Sequence, residues 1–454
     1  MVISQQRIAV LSDMQVRMLS ERLRGNVIRP GGEGYDAARN TLNAKIDRYP
    51  ALVVQVKDAE DVAQVIRFAR KHGVEVSVKS GGHGVAGHAI VDDAILIDLS
   101  LLKSVEVDEK MQVARAGAGL RAGEYVRATE AYGLVSPVGD ASTTGLGGLV
   151  MGGGFGFLSG KHGLVVDNLL AAEIVTADGE ILRASKTENP DLFWAIRGGG
   201  GNFGVVTAYE FQLHPLPQVL GGMMIFPFER AAEIVRLYRD IAESAPDELT
   251  MYLGMATMPD GMSIVALMPV YSGEIAEGER LLAPFREAGP VSDMVQPMPY
   301  SQASSAADPF APPGFKLHER WDTLYALPDD VIDGLIERAT PGNSLGNVVV
   351  IKVLNGAATR VDPAATAFPH RNTRYAVLAL AAWLDEADEA ANIAWAESVK
   401  DVIAGQRFGS YVNASIGNPL SEVFGDNYSR LAAIKAAYDP DNMFHGNVNI
   451  TPGK

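Results

Sequence analysis

The sequence predicts an α+β protein of two structural units, the first over residues 1–215 and the second over residues 216–400, the latter a mainly antiparallel sheet covered by helices on one face. Three observations predict it. Strand-like runs alternate with an amphipathic helix early in the chain; 24 of the 47 glycines fall between residues 79 and 204; and beyond about Leu220 the texture changes to long runs of β-forming residues. A length of 454 residues with 47% apolar and 21% charged residues is ordinary for a large globular protein.

Residues 51–56 read as a buried strand, and residues 58–61 open a helix whose apolar face carries Val62, Val65, Ile66 and Ala69 and which Gly73 closes. The β-rich run 74–78 follows and leads into Lys79-Ser80-Gly81-Gly82-His83-Gly84, so this loop sits at the carboxyl end of a strand in a βαβ unit. Glycines there let several backbone N–H groups converge on an anion, with a histidine in reach of whatever carries it. Residues 90–91 and 94–98 look like further strands. The segment 145–156 is too rich in glycine for a packed helix, where each glycine costs roughly 1 kcal/mol against alanine, so something approaches that backbone closely. A third segment, 197–204, carries Gly198, Gly199, Gly200, Gly201 and Gly204 and precedes a strand at 205–211. One such loop is more often a plain turn. Three together predict a bound phosphorylated cofactor. In the second unit, runs at 262–271, 347–353 and 375–383 read as strands, with helical stretches such as 278–282 between them. The proline-rich piece 308–314 reads as a surface loop, and no internal repeat is visible.

A net charge of −16 argues against nucleic-acid binding and leaves an anionic cofactor dependent on aimed backbone N–H groups. No apolar run reaches the roughly 18 residues that would span a membrane, and the start lacks a secretory pattern, so the expected location is cytoplasmic. With no cysteine there is neither a disulfide nor a thiolate metal site, and His83 and His88, five apart without nearby carboxylates, do not make a metal site either. Gly117, Gly119 and Gly123 approach the dinucleotide fingerprint, but the last glycine falls one residue late; Gly160-Lys161-His162 lacks the residues of a phosphate-binding P-loop.

The three glycine segments, together with His162-Gly163-Leu164-Val165-Val166-Asp167-Asn168, the run 189–197, Tyr411-Val412-Asn413 and the run 438–450, resemble the PCMH-type FAD-binding architecture of the vanillyl-alcohol-oxidase superfamily and, within it, the berberine-bridge-enzyme-like oxidases. The resemblance spans nearly the whole chain. It implies FAD, a substrate between the second unit's sheet and the flavin, and a segment 401–454 that returns to the first unit. It also implies a covalent bond from His83 to the flavin, with Lys79, Ser80, Gly81, Gly82, Gly84, His88, Gly139, Ser142, Thr143, Gly145, Gly148, Gly153, Val175, Asn413 and Asn447 around the cofactor. Many relatives add a second bond from a cysteine; here Ala141 stands in its place, so a single attachment is expected, as in the 6-hydroxynicotine-oxidase type.

Flavin accepts a hydride at N5, so the protein must hold a C–H bond there and remove a proton from the adjoining O–H or N–H. By resemblance Tyr411 is the expected base. A phenol needs help to ionise near neutrality, and Lys352, His370 and Arg371 are the candidates for it. Substrate contacts are expected among Tyr300, Lys316, His318, Arg320, Asn355 and Tyr375, of which His318, Arg320 and Tyr375 are preferred. The expected reaction is oxidation of a secondary alcohol, sugar or cyclic natural product, with dioxygen reduced to hydrogen peroxide; the alternatives are amine or alkaloid oxidation at a C–N centre and a dehydrogenase slow with oxygen, a point on which Thr144 bears. The small-molecule substrate and dioxygen are the expected partners of a monomer or homo-oligomer.

Overall fold

The computed structural model describes residues 11–258, 261–308, 314–340 and 346–453. The chain start and the proline-rich residues 309–313 lie outside these.

Strand Leu52–Gln55 runs into helix Ala59–His72, capped by the Asp58 carboxylate and closed by Gly73 at φ 64°. Val62, Val65, Ile66 and Ala69 are fully buried on its inner face. The return strand Val76–Lys79 lies parallel to strand Ile95–Asp98, which separates it from Leu52–Gln55; Asn26–Ile28 adds an antiparallel edge. The strand expected at residues 90–91 does not form. Ile90 instead closes a turn, its N–H donating to the Gly87 carbonyl. A second sheet of five antiparallel strands, in the order Val105–Asp108, Val113–Gly117, Val205–Gln212, Leu169–Val175, Ile181–Ser185, packs beside the first.

The glycine-rich stretch departs from expectation. Residues Leu146–Met151 form a short buried helix despite Gly147 and Gly148, because close packing of this turn against Ser80 and Ala118 overrides the intrinsic cost of glycine.

Residues 219–410 supply a third sheet of ten strands among the described residues, all pairs antiparallel. Helices Ala231–Ser244, Ile275–Glu287, Asp329–Arg338 and Glu389–Ile403 cover one face with a common apolar core. Strand Arg407–Ser410 still pairs with strand Lys316–Leu324, so the chain leaves this sheet after residue 410 rather than near 401. Helix Tyr428–Tyr438 then packs on helix Pro190–Ala195. Its Lys435, fully buried, pairs with Asp439 and donates to the carbonyl of Asn202 at 2.8 Å, which ties the terminal segment to the third glycine segment.

Candidate active site

A cavity of about 380 Å³ lies between the glycine segments and the uncovered face of the ten-stranded sheet. Its floor is backbone. The first and second glycine segments cross in direct contact: a Cβ on Gly81 would stand 2.4 Å from the Gly145 nitrogen, and one on Gly145 would stand 2.1 Å from the Gly81 nitrogen. The Ser80 hydroxyl clamps the crossing, donating to the Ala118 carbonyl at 2.6 Å and accepting from the Gly147 N–H at 3.3 Å. Gly84 and Gly148 are different, for a Cβ on either meets nothing within 4 Å and both line the cavity. These two leave room for a ligand against the main chain.

Residues that line the cavity also carry buried polar atoms without partners. His83 Nε2, His88 Nε2 and Asn447 Oδ1 are unpaired on cavity-lining residues, and such atoms carry a desolvation penalty unless a ligand meets them. Burial pushes the His83 and His88 imidazoles below their ordinary range, which keeps both neutral. A glycine cradle with room against the main chain at Gly84 and Gly148, and unpaired imidazole and amide atoms on the lining residues, fit FAD.

The ceiling is one face of the sheet, set by strand register. Glu319 stands opposite Leu380, which stands opposite Val348; Trp321 stands opposite Leu378, then Val350, Gly254 and Ala266. All of these line the cavity. Glu319 and Lys352 are the charged side chains of this face among the described residues. The Lys352 ammonium donates to Asp140 Oδ2 at 2.6 Å and lies 4.4 Å from the Trp321 ring and 4.8 Å from the Tyr252 ring, so its charge is already matched. No described group donates a hydrogen bond to Glu319. Burial raises its carboxyl to about 7, with Lys352 pulling the other way.

Tyr411 enters from the terminal segment, its ring centroid 5.0 Å from Phe155 and 4.8 Å from Trp321. Its oxygen accepts from Asn413 Nδ2 at 3.2 Å. Burial raises the phenol well above its usual range; the Gly154 backbone and Asn413 oppose this, and the charges that bear on it, Glu319 and Asp140, are anions that raise it further.

Of the cofactor residues expected from the sequence, Ser80, Gly81, Gly82, His83, Gly84, His88, Gly139, Gly145, Gly148, Asn413 and Asn447 line the cavity, as do Tyr411 and Thr144. Lys79, Ser142, Thr143, Gly153 and Val175 do not. The Lys79 ammonium turns away to the carbonyls of Ala38 and Asn40, Ser142 is held by Asp308 at 2.6 Å, Gly153 abuts Phe368, and Val175 pairs with Val205 in the second sheet. The expected substrate contacts point the other way too. His318 and Arg320 bond Glu397 on helix Glu389–Ile403, and Tyr375 lies in the core beneath the helices with Tyr238. Tyr300, Lys316 and Asn355 are likewise off the cavity; Asn355 donates to the Leu249 carbonyl at 3.2 Å. His370 bonds Thr323 and the Val423 carbonyl, and Arg371 pairs with Asp167 at 2.7 Å, so neither assists Tyr411. Glu319, Trp321, Asp140 and Leu378 were missed. For Glu319 and Trp321 the one signal was parity on the strand 316–324, where Leu317, Glu319 and Trp321 alternate with His318 and Arg320; nothing in the sequence marked Asp140 or Leu378.

Two family profiles match the chain: an FAD binding domain over residues 50–185, and the family described as berberine and berberine like over residues 410–451. The chain is 34% identical to an uncharacterized FAD-linked oxidoreductase of Bacillus subtilis, covering 96% of this chain and all of that one. It is 32% identical to the (R)-6-hydroxynicotine oxidase of Paenarthrobacter nicotinovorans, over 95% and 97% of the two chains. The crystal structure of 6-hydroxy-D-nicotine oxidase from Arthrobacter nicotinovorans superposes with a TM-score of 0.85 at 30% identity, over 95% of this chain and 98% of that one.

Proposed function

The chain belongs to the berberine-like FAD-linked oxidoreductases, and from that premise we propose that it oxidises a cyclic, largely apolar small molecule at a C–H bond adjoining an O–H or N–H, with dioxygen as the final acceptor and hydrogen peroxide as co-product. The observation that carries the reading is the cavity itself, walled on one side by glycine backbone and His83, whose Nε2 is unpaired, and on the other by a sheet face that is apolar apart from Glu319 and Lys352.

Ser80, Gly84, His88, Gly148 and Asn447 would hold the cofactor, and His83 would tether it through a single covalent bond, its neutral imidazole being the nucleophilic form. When bound there, FAD supplies a two-electron acceptor for the hydride. The protein does the rest. Leu378, Leu380 and Val350 exclude water and orient the substrate ring, and Trp321 gives it a flat surface. Tyr411, its oxygen fixed by Asn413, takes the substrate proton through a hydrogen bond formed in the closed site. Burial and two anions favour the protonated phenol, so Tyr411 accepts that proton only in the minor fraction of the enzyme whose phenol proton has already left to solvent, a new O–H bond forming on Tyr411 as the substrate O–H or N–H bond breaks. The ceiling supports a cyclic natural product better than a sugar, whose many hydroxyls would find few partners on it.

Intact mass and the visible spectrum of the denatured protein test the tether. Flavin is expected to remain attached in the native sequence and to be lost in His83→Ala; flavin that washes out of the native protein removes the covalent assignment. Tyr411→Phe keeps the ring contacts and is expected to lower turnover by about 10²- to 10⁴-fold with little change in substrate affinity. Peroxide release over a panel of alcohols, sugars and cyclic amines ranks the substrates, and a substrate that reduces the flavin with slow reoxidation in air marks a dehydrogenase.

A further inference from the structure

Glu319 has no task in the reaction as described, yet it is the feature of the ceiling hardest to explain without a ligand. Leu317 and Trp321 flank it on its own strand, Leu380 lies opposite, and Val348 lies beyond Leu380, so its surroundings within the sheet are apolar apart from Lys352. Lys352 is committed to Asp140 and to two aromatic rings. Nothing described donates to the Glu319 oxygens, and they open on the cavity. An ionised carboxyl in such a place costs several kcal/mol unless a cation or donor meets it.

The geometry points to Glu319 as the residue that binds the cationic nitrogen of an amine substrate, whose ring body rests on Trp321, Leu378 and Leu380. This deepens the proposed oxidation and rests on it for the chemistry, though not for the binding. An alcohol could offer one hydrogen bond but would leave the charge uncompensated, and a sugar would strand most of its hydroxyls. The chain's charge of −16 also favours the approach of a cation. Once the pair is enclosed, one proton passes from nitrogen to a Glu319 oxygen: an N–H bond breaks, an O–H bond forms, no electron moves, and both partners are left neutral. The nitrogen lone pair is then free to support loss of hydride from the adjoining carbon. The other groups bearing on this pair are Lys352 from strand Val348–Val353, Tyr411 from the terminal segment, and Asp140 behind Lys352. Burial raises the Glu319 carboxyl to about 7, close to where such a proton can be exchanged.

The test is equilibrium binding of two probes of one shape, N-methylbenzylamine and its neutral counterpart benzyl methyl ether, to the holoenzyme without oxygen, read from the flavin band and from tryptophan fluorescence. The amine is expected to bind at least about tenfold tighter than the ether near neutral pH, and its affinity to fall as pH drops below the Glu319 transition. Glu319→Gln should erase the tenfold preference and the acid limb while leaving ether affinity within about threefold. Equal affinities in the native protein, no amine binding up to about 10 mM, or a preference that survives in Glu319→Gln overturns the assignment. Protein that lacks flavin but still prefers the amine by fluorescence would sink the FAD reading and leave Glu319 standing; flavoprotein with no preference would do the reverse.

Discussion

The floor and the ceiling of the cavity are built by different means. On the floor, backbone meets backbone, and the residue type is dictated by the absence of a side chain: Gly81 and Gly145 touch through their main chains, with Ser80 as the clamp. On the ceiling, the backbone is a regular antiparallel sheet that accepts almost any side chain, and the chemistry lies in which residues fall on the inner parity. A site of this kind can keep one cofactor while its substrate changes, since the two halves answer to separate constraints.

The largest expected effect breaks that contrast if it fails. Gly145→Ala puts a Cβ 2.1 Å from a backbone nitrogen that cannot yield without opening the crossing, and the expected result is protein destabilised by about 3 kcal/mol or more that holds little flavin. Gly254→Ala on the ceiling adds the same methyl where nothing lies within 4 Å. It should keep its flavin and its thermal midpoint and change only the affinity for bulky substrates. Flavin content and thermal unfolding of the two variants measure the difference, and equal losses in both would mean that floor and ceiling are not distinct.

Lys352→Met comes next in size and acts on both halves at once. Its ammonium joins the sheet to Asp140 in the floor, with the two side chains 4% and 19% exposed, and removing it strands a largely buried carboxylate at a cost of about 3 kcal/mol. The same change removes the charge that opposes burial at Glu319, so the Glu319 carboxyl should move upward from about 7 and carry the acid limb of amine binding to higher pH with it. Lys352→Arg, which keeps the charge, should restore most of that limb. An unmoved limb in Lys352→Met would show that the two ceiling charges do not communicate.

The same contrast explains what could be read from the chain alone. The glycine segments announce the floor because backbone contact leaves a compositional trace, and a resemblance built on them reached His83, Asn413 and Asn447, all of which line the cavity. Glycine could not say which of its two jobs it was doing. Gly153 serves packing against Phe368, while Gly148 serves open space, and Leu146–Met151 is helical because packing outweighs propensity. The ceiling was illegible for a different reason. Strand Lys316–Leu324 bears ionisable groups on both parities, and nothing within it says that Glu397, some eighty residues later, takes His318 and Arg320 to the helix side. Lys352 and Asp140, more than two hundred residues apart, were equally out of reach until the fold joined them.

The smallest effect is the most direct check on Glu319 without any ligand. An ordinary glutamate in the unfolded chain titrates near 4.5, whereas in the folded protein burial raises Glu319 to about 7. Between those values the folded state retains a proton that the unfolded chain has released, so folding takes up a proton and stability falls as pH rises. The contribution is fully present below 4.5, is lost progressively up to about 7, and amounts to about 3 kcal/mol at most, less where the cavity admits water. Glu319→Gln has no such proton to lose. Its thermal midpoint should match the native protein at about pH 4.5 and rise above it by about pH 8, with every other titrating group cancelling in the comparison. Added N-methylbenzylamine should close that gap by compensating the native carboxylate, since a ligand that binds only the folded state stabilises it. Parallel curves for the two proteins would mean that Glu319 is already satisfied, and the ceiling would then hold no charge waiting for a substrate.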